Sequence, residues 1–187
     1  MNENIIDKQN AAKLNFLKAN AEKTLYLDEF KENVILALTE KQIMSGVVYQ
    51  EVIAEMKKPE TARMKMRRDV PLKAFNPYIM AAEKAGLQYT LVDALDTRGD
   101  IALVMVAKEA FDNPDRTVIL EDLEEKFEKA GLSSEYIRKI GSKLCKKHYD
   151  LLVEKMPSYK DEFGKLTLVE RIFGKECPIC RKEKERS

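Results

Sequence analysis

The 187-residue chain has three cysteines and one histidine, and all four fall into two pairs of identical spacing, Cys145-Lys-Lys-His148 and Cys177-Pro-Ile-Cys180. Thiolate sulfur and imidazole nitrogen are the donors that tetrahedral zinc prefers, with bonds of about 2.3 Å to sulfur and about 2.0–2.1 Å to nitrogen. A Cys3His set fills four positions with protein and leaves none for an activated water, so the zinc it would hold is structural. Each pair also has a plainer reading. Cys145 and His148 can be ordinary core residues. Cys177 and Cys180 can be a redox dithiol, although that motif ordinarily sits where a strand meets a helix in a thioredoxin-like unit. An odd cysteine count is a poor basis for a disulfide framework and suits a reducing compartment.

The elements that must carry these donors lie beyond residue 120, where the hydrophobic pattern is helical. EDLEEKFEKA is predicted as a helix stopped by Gly131. SSEYIRKIGSKLCKKHYDLLVEKM is predicted as one long amphipathic helix ended by Pro157, with Cys145 and His148 on the inward stripe of Ile137, Ile140, Leu144, Leu151 and Leu152. Residues three apart on a helix share a face, so this pair aims at one point. Thr167 and Glu170 have the spacing of a capping box, opening a short helix closed by Gly174 that delivers the Cys-Pro-Ile-Cys turn. The charged stretch RKEKERS is expected to be disordered.

Before residue 120 helix and strand alternate. Residues 1–24 are expected to be helical, and FKENVILALTEKQIMSG is predicted as a longer helix, with Phe30, Val34, Ile35, Leu38 and Ile43 mostly on one face and Gly46 as its cap. VVYQEVIAEMKK is predicted as a short helix, TARMKMRRD as a strand, and Pro71 to Gly86 as a helix. QYTLVD, IALVMVA and TVIL are predicted as strands. The fold class is therefore α/β: a small mixed sheet with helices over 25–120, preceded by an N-terminal helix over 1–24 and followed by a helical, zinc-fastened segment over 121–187.

Charge is balanced, with 33 Lys and Arg against 32 Asp and Glu, so no global field advertises nucleic acid or an anionic membrane. A local excess does occur between Lys57 and Lys73, and Arg63, Lys65, Arg67 and Arg68 sit on or beside one strand. Strand alternation sets Arg63, Lys65 and Arg67 on the face opposite Ala62, Met64 and Met66. Such a face suits phosphate, or is a solvated face that discourages edge pairing. No phosphate-binding glycine loop, nucleophile elbow or HExxH motif occurs, and the single histidine is already claimed by the metal set. No apolar run reaches the length that crosses a bilayer, and MNENIIDKQN lacks the basic and apolar regions of a secretory leader. The expectation is a cytoplasmic protein with no membrane partner.

The stretches YLDEFKENVILALTEKQIMSGVVYQEVIAEMKK and YIMAAEKAGLQYTLVDALDTRGDIALVMVAKEAF resemble the YueI-like family, bacterial proteins of unknown function, over roughly residues 25–120. The resemblance implies a Bacillus chorismate mutase-like fold, related in architecture to ribosomal proteins that bind kink-turn RNA. Those carry Gly-x-Asn-Glu at the start of an RNA-facing helix, with a lysine three residues further on. Here Gly46 is retained, but Val48 and Tyr49 replace the polar pair and Val52 stands at the lysine position, so the resemblance carries no kink-turn contact to that surface. The fold's name likewise brings no mutase activity, since no matching catalytic set is present.

From these residues the expected function is that of a non-enzymatic binding or regulatory protein with a structural zinc ion, its partner RNA or a ribonucleoprotein met through Arg63, Lys65, Arg67 and Arg68. The alternatives are a protein-interaction adaptor that uses the zinc-fastened segment, and an enzyme with a pocket beside the loop Asp96 to Asp100.

Overall fold

Hydrophobic periodicity alone does not separate a short buried strand from a buried helical segment. Residues 30–46 show the consequence in the computed structural model, which describes residues 3–93, 99–113 and 115–186. They are not one helix. After the N-terminal helix α1 (Glu3–Leu25) and a single 3-10 turn (Lys31–Asn33), Val34–Thr39 is a strand, β1, and only Glu40–Met44 is helical, as α2. The run VILALT is six residues long and opens with two β-branched side chains, which are stiff about χ1 and pack well on a pleated surface. Thr39 ends the strand and starts the helix, because its hydroxyl accepts from the Gln42 N–H while the Gln42 side chain returns to the Thr39 N–H.

Further elements are α3 (Gln50–Glu55), β2 (Thr61–Arg67), α4 (Leu72–Ala85), β3 (Gln88–Val92) and β4 (Ile101–Ala107). The four strands form one mixed sheet in the order β1-β4-β2-β3, with β4 antiparallel to β1 and β2, and β2 parallel to β3. Every residue of the central strand β4 is buried, as its unbroken apolar run requires. On β2, Met64 and Met66 are fully buried, in keeping with the predicted alternation. The TVIL segment makes only an isolated bridge, Ile119 to Ala37, instead of a strand. No helix among the described residues is long and apolar enough to cross a membrane.

The chain divides into two units. The first comprises Met1–Val48 and Val52–Leu120, and the second Tyr49–Glu51 and Glu121–Ser187. In the second, α5 (Leu123–Lys129), α6 (Glu135–Arg138), β5 (Lys143–Leu144), α7 (Lys146–Lys155), β6 (Gly164–Lys165), α8 (Leu168–Ile172) and α9 (Pro178–Arg186) follow in order, with a 3-10 turn over Pro157–Glu162. The single long helix expected over 133–156 is thus interrupted. Gly141 takes a left-handed conformation at φ 83°, and the two residues after Ser142 form β5, which pairs in parallel with β6. A left-handed residue ends an α-helix, and glycine adopts that conformation without a Cβ penalty. Residues 181–186, expected to be disordered, continue α9. An aromatic column holds this unit together: Phe127 meets Tyr159 edge-on at 5.3 Å, and Tyr136 meets Phe163 at 6.0 Å. Tyr159 donates to Glu51 at 2.8 Å, and burial together with that carboxylate pushes its phenol far up.

Candidate metal centre

The broken helix changes how Cys145 and His148 come together. Cys145 is the N-cap of α7, in extended conformation at the end of β5, and His148 is the third helical residue. These are the positions whose side chains face each other in a capping box, the arrangement that Thr39 with Gln42 and Thr167 with Glu170 adopt elsewhere in the chain. Here thiol and imidazole take the two places. Cys177 and Cys180 repeat the geometry, because Pro178 is the first residue of α9 and so puts Cys177 just before the helix and Cys180 at its third position.

The four donor atoms lie within 4.8 Å of one another. His148 Nδ1 is 3.4 Å from the Cys145 sulfur, 3.5 Å from that of Cys177 and 3.4 Å from that of Cys180. The sulfurs of Cys145 and Cys180 are 3.6 Å apart, far beyond a disulfide bond. Ligands on a tetrahedral zinc with ordinary bond lengths are separated by about 3.6 Å from nitrogen to sulfur and about 3.8 Å between sulfurs. The donor set therefore has the chemistry and the spacing to hold such an ion.

The surroundings favour a thiolate at Cys177. Burial pushes the Cys177 thiol up, but N–H groups of Cys145, Cys180 and Ile179 and the His148 ring hydrogen-bond to it and bring it down to about 7. Cys180 is pushed up to about 12 by burial and by its sulfur neighbours, since three thiols this close cannot all ionise without a cation. The N-termini of α7 and α9 both open on the cluster, and their N–H groups and dipoles favour negative charge. Arg171, Lys175 and Lys184 line the same recess. Three thiolates with a divalent ion carry a net charge of about −1, which two helix N-termini suit.

Two supporting residues escaped the sequence. Glu183 Oε1 lies 3.2 Å from His148 Nε2, which leaves Nδ1 to face the sulfurs. Carboxylate partners of this kind fix the ring orientation of ligating histidines. The signal was present: with Pro178 opening a helix, Glu183 falls near the face of Cys180. Tyr136 donates from its hydroxyl to the His148 carbonyl at 3.1 Å, and its ring stands edge-on to the imidazole at 6.3 Å, joining the centre to the aromatic column.

The basic residues of β2 and Arg68 beside it have the following surroundings. Arg63 and Lys65 both bind Glu29 at 2.9 Å, and Lys65 also donates to the carbonyls of Leu27 and Asp28. Those two residues sit at positive φ, so the lysine secures a left-handed turn. Although burial pushes the Glu29 carboxyl up, the two cations hold it below its ordinary value. Arg67 is buried, bonded to Asp69 at 2.6 Å, to Glu40 and to the carbonyls of Gly99 and Ile101. Arg68 pairs with Asp93 on the surface. All four cations thus have internal partners. Of the loop Asp96 to Asp100, residues 96–98 lie outside the described residues.

The model of a family described as a protein of unknown function (DUF1694) matches residues 8–117, more than half of the chain. The uncharacterized protein YueI of Bacillus subtilis (strain 168) is 26% identical over 86 residues, which cover 46% of this chain and 65% of YueI. The chain thus spans just under two thirds of the length of that relative. The crystal structure of the YueI protein from Bacillus subtilis superposes with a TM-score of 0.52 at 23% identity, covering 56% of this chain and 80% of that one. That likeness speaks to the fold alone. Cys145, His148, Cys177 and Cys180 all lie beyond the residues matched by the family model.

Proposed function

The chain belongs to the DUF1694 family, in agreement with its resemblance to YueI, and from that premise we propose that it is a non-enzymatic binding protein whose second unit is fastened by a structural zinc ion. The observation that carries the reading is the convergence of Cys145, His148, Cys177 and Cys180. Four protein donors complete a tetrahedral set, the pattern of structural rather than catalytic zinc, and a thiolate-rich set selects zinc or iron over hard cations. When bound, the ion would supply a cross-link between the start of α7 and the start of α9, 29 residues apart from His148 to Cys177. The protein's own contribution is to present three sulfurs and one nitrogen from two helix N-termini, with Tyr136 and Glu183 holding the imidazole.

Elemental analysis of the full chain purified without chelator tests the reading. The expected result is about one zinc per chain, with loss of near-ultraviolet circular dichroism when a strong chelator removes it. Metal-free protein with unchanged tertiary signals would sink it, and iron in place of zinc would reassign the ion.

A further inference from the structure

Helix α8 points its apolar side chains at solvent. Leu168 is 76% exposed, Val169 61%, Ile172 83% and Phe173 82%. Their spacing of one, four and five residues makes a single strip along the helix. Together they expose roughly 500 Å² of mostly apolar surface, the size of patch that in soluble proteins marks an interaction site.

This strip is held in place and is not a frayed end. The Thr167–Glu170 capping box closes the helix start, and the Glu170 carboxylate is gripped by Lys143 at 2.7 Å and Lys175 at 3.4 Å. The Leu166 N–H bonds to the Leu144 carbonyl at 2.8 Å, tying the preceding residue to β5. Beside the strip runs a cleft lined by Lys139, Lys143, Lys175 and Arg181, with Glu176 as its one acidic member. Lys139 has no carboxylate partner among the described residues, while Arg181 acts on the Glu185 carboxyl through space and lowers it.

We propose that α8 and this cleft form a docking site for an acidic amphipathic helix of a partner protein. Its apolar residues would cover Leu168, Val169, Ile172 and Phe173, and its Asp and Glu side chains would meet Lys139, Lys143, Lys175 and Arg181. Charge complementarity selects this occupant. A second copy of the chain would bring two like-charged clefts together, and a nucleic-acid strand would leave the apolar strip uncovered. The proposal deepens the binding-protein reading and names its partner class.

The test uses the full chain as purified, titrated with a synthetic amphipathic peptide bearing leucines on one face and glutamates on the other. The expected result is saturable binding at least tenfold tighter than that of the same peptide with lysine for glutamate. Ile172→Ser with Phe173→Ser, and separately Lys139→Glu with Arg181→Glu, should each weaken binding at least tenfold. Ile172, Phe173 and Arg181 are exposed and Lys139 is half-buried at the cleft wall, so metal content and far-ultraviolet circular dichroism should stay unchanged and certify the fold. Equal affinity for the two peptides, or no binding, overturns the proposal. So does association seen only with phosphatidylglycerol vesicles, single-stranded RNA or a second copy. A metal-free but folded chain that binds the acidic peptide fails the zinc reading alone. A zinc-loaded chain that does not bind fails this one alone.

Discussion

Glu183→Ala isolates what the carboxylate behind His148 contributes to the metal centre. Glu183 accepts from Nε2 at 3.2 Å, and the imidazole is almost fully buried while the carboxylate is 56% exposed. Outer partners of ligating histidines typically change metal affinity by about 10–100-fold when removed. Half-exposure puts this one at the low end, because water can take the carboxylate's place and solvent screens its charge. The expected loss is about tenfold, or about 1.4 kcal/mol. Glu183→Gln keeps a neutral acceptor and should lose about threefold. The assay is competition for zinc against a chromophoric chelator at fixed pH, since ligand deprotonation makes the affinity pH-dependent. Two variants that both match the parent within twofold would refute the role given to Glu183, and with it the assignment of Nδ1 as the metal-facing nitrogen.

Arg67→Ala should destabilise the first unit by about 3 kcal/mol in urea unfolding, because the carbonyls of Gly99 and Ile101 lose a buried charged donor while Glu40 and Asp69 rehydrate. Arg63→Ala, at a half-exposed pair, should cost under about 1 kcal/mol; equal effects would contradict the burial argument. Glu170 gives the pH signature of α8. Lys143 and the Thr167 cap hold its carboxyl down to about 2 from an ordinary 4.5, so its contribution is complete above about 4.5 and disappears only as pH falls through about 2. A carboxyl resonance that titrates near 4.5 would mean that the capping box and the lysine grip are not formed in solution.

The donors were legible because residue type is chemistry: four scarce metal-binding side chains in two equal spacings announce a site before any coordinates exist. The capping signals at Thr167 and the stops at Gly86, Gly131 and Gly174 were legible for the same reason, since each is a local property of one or two residues. The VILALT strand was not, because five apolar residues in a row satisfy helix and strand periodicity alike and only the fully buried β4 beside them decides. Gly141 was the local warning that the long helix breaks, and the pairing of β5 with β6 is what turns that break into a strand. The basic strand shows the limit most plainly. Alternation put Arg63, Lys65 and Arg67 on one face, but the carboxylates they meet, Glu29 for Arg63 and Glu40 for Arg67, lie 34 and 27 positions away in the chain. Charge is written in the sequence, whereas its partner is chosen by packing.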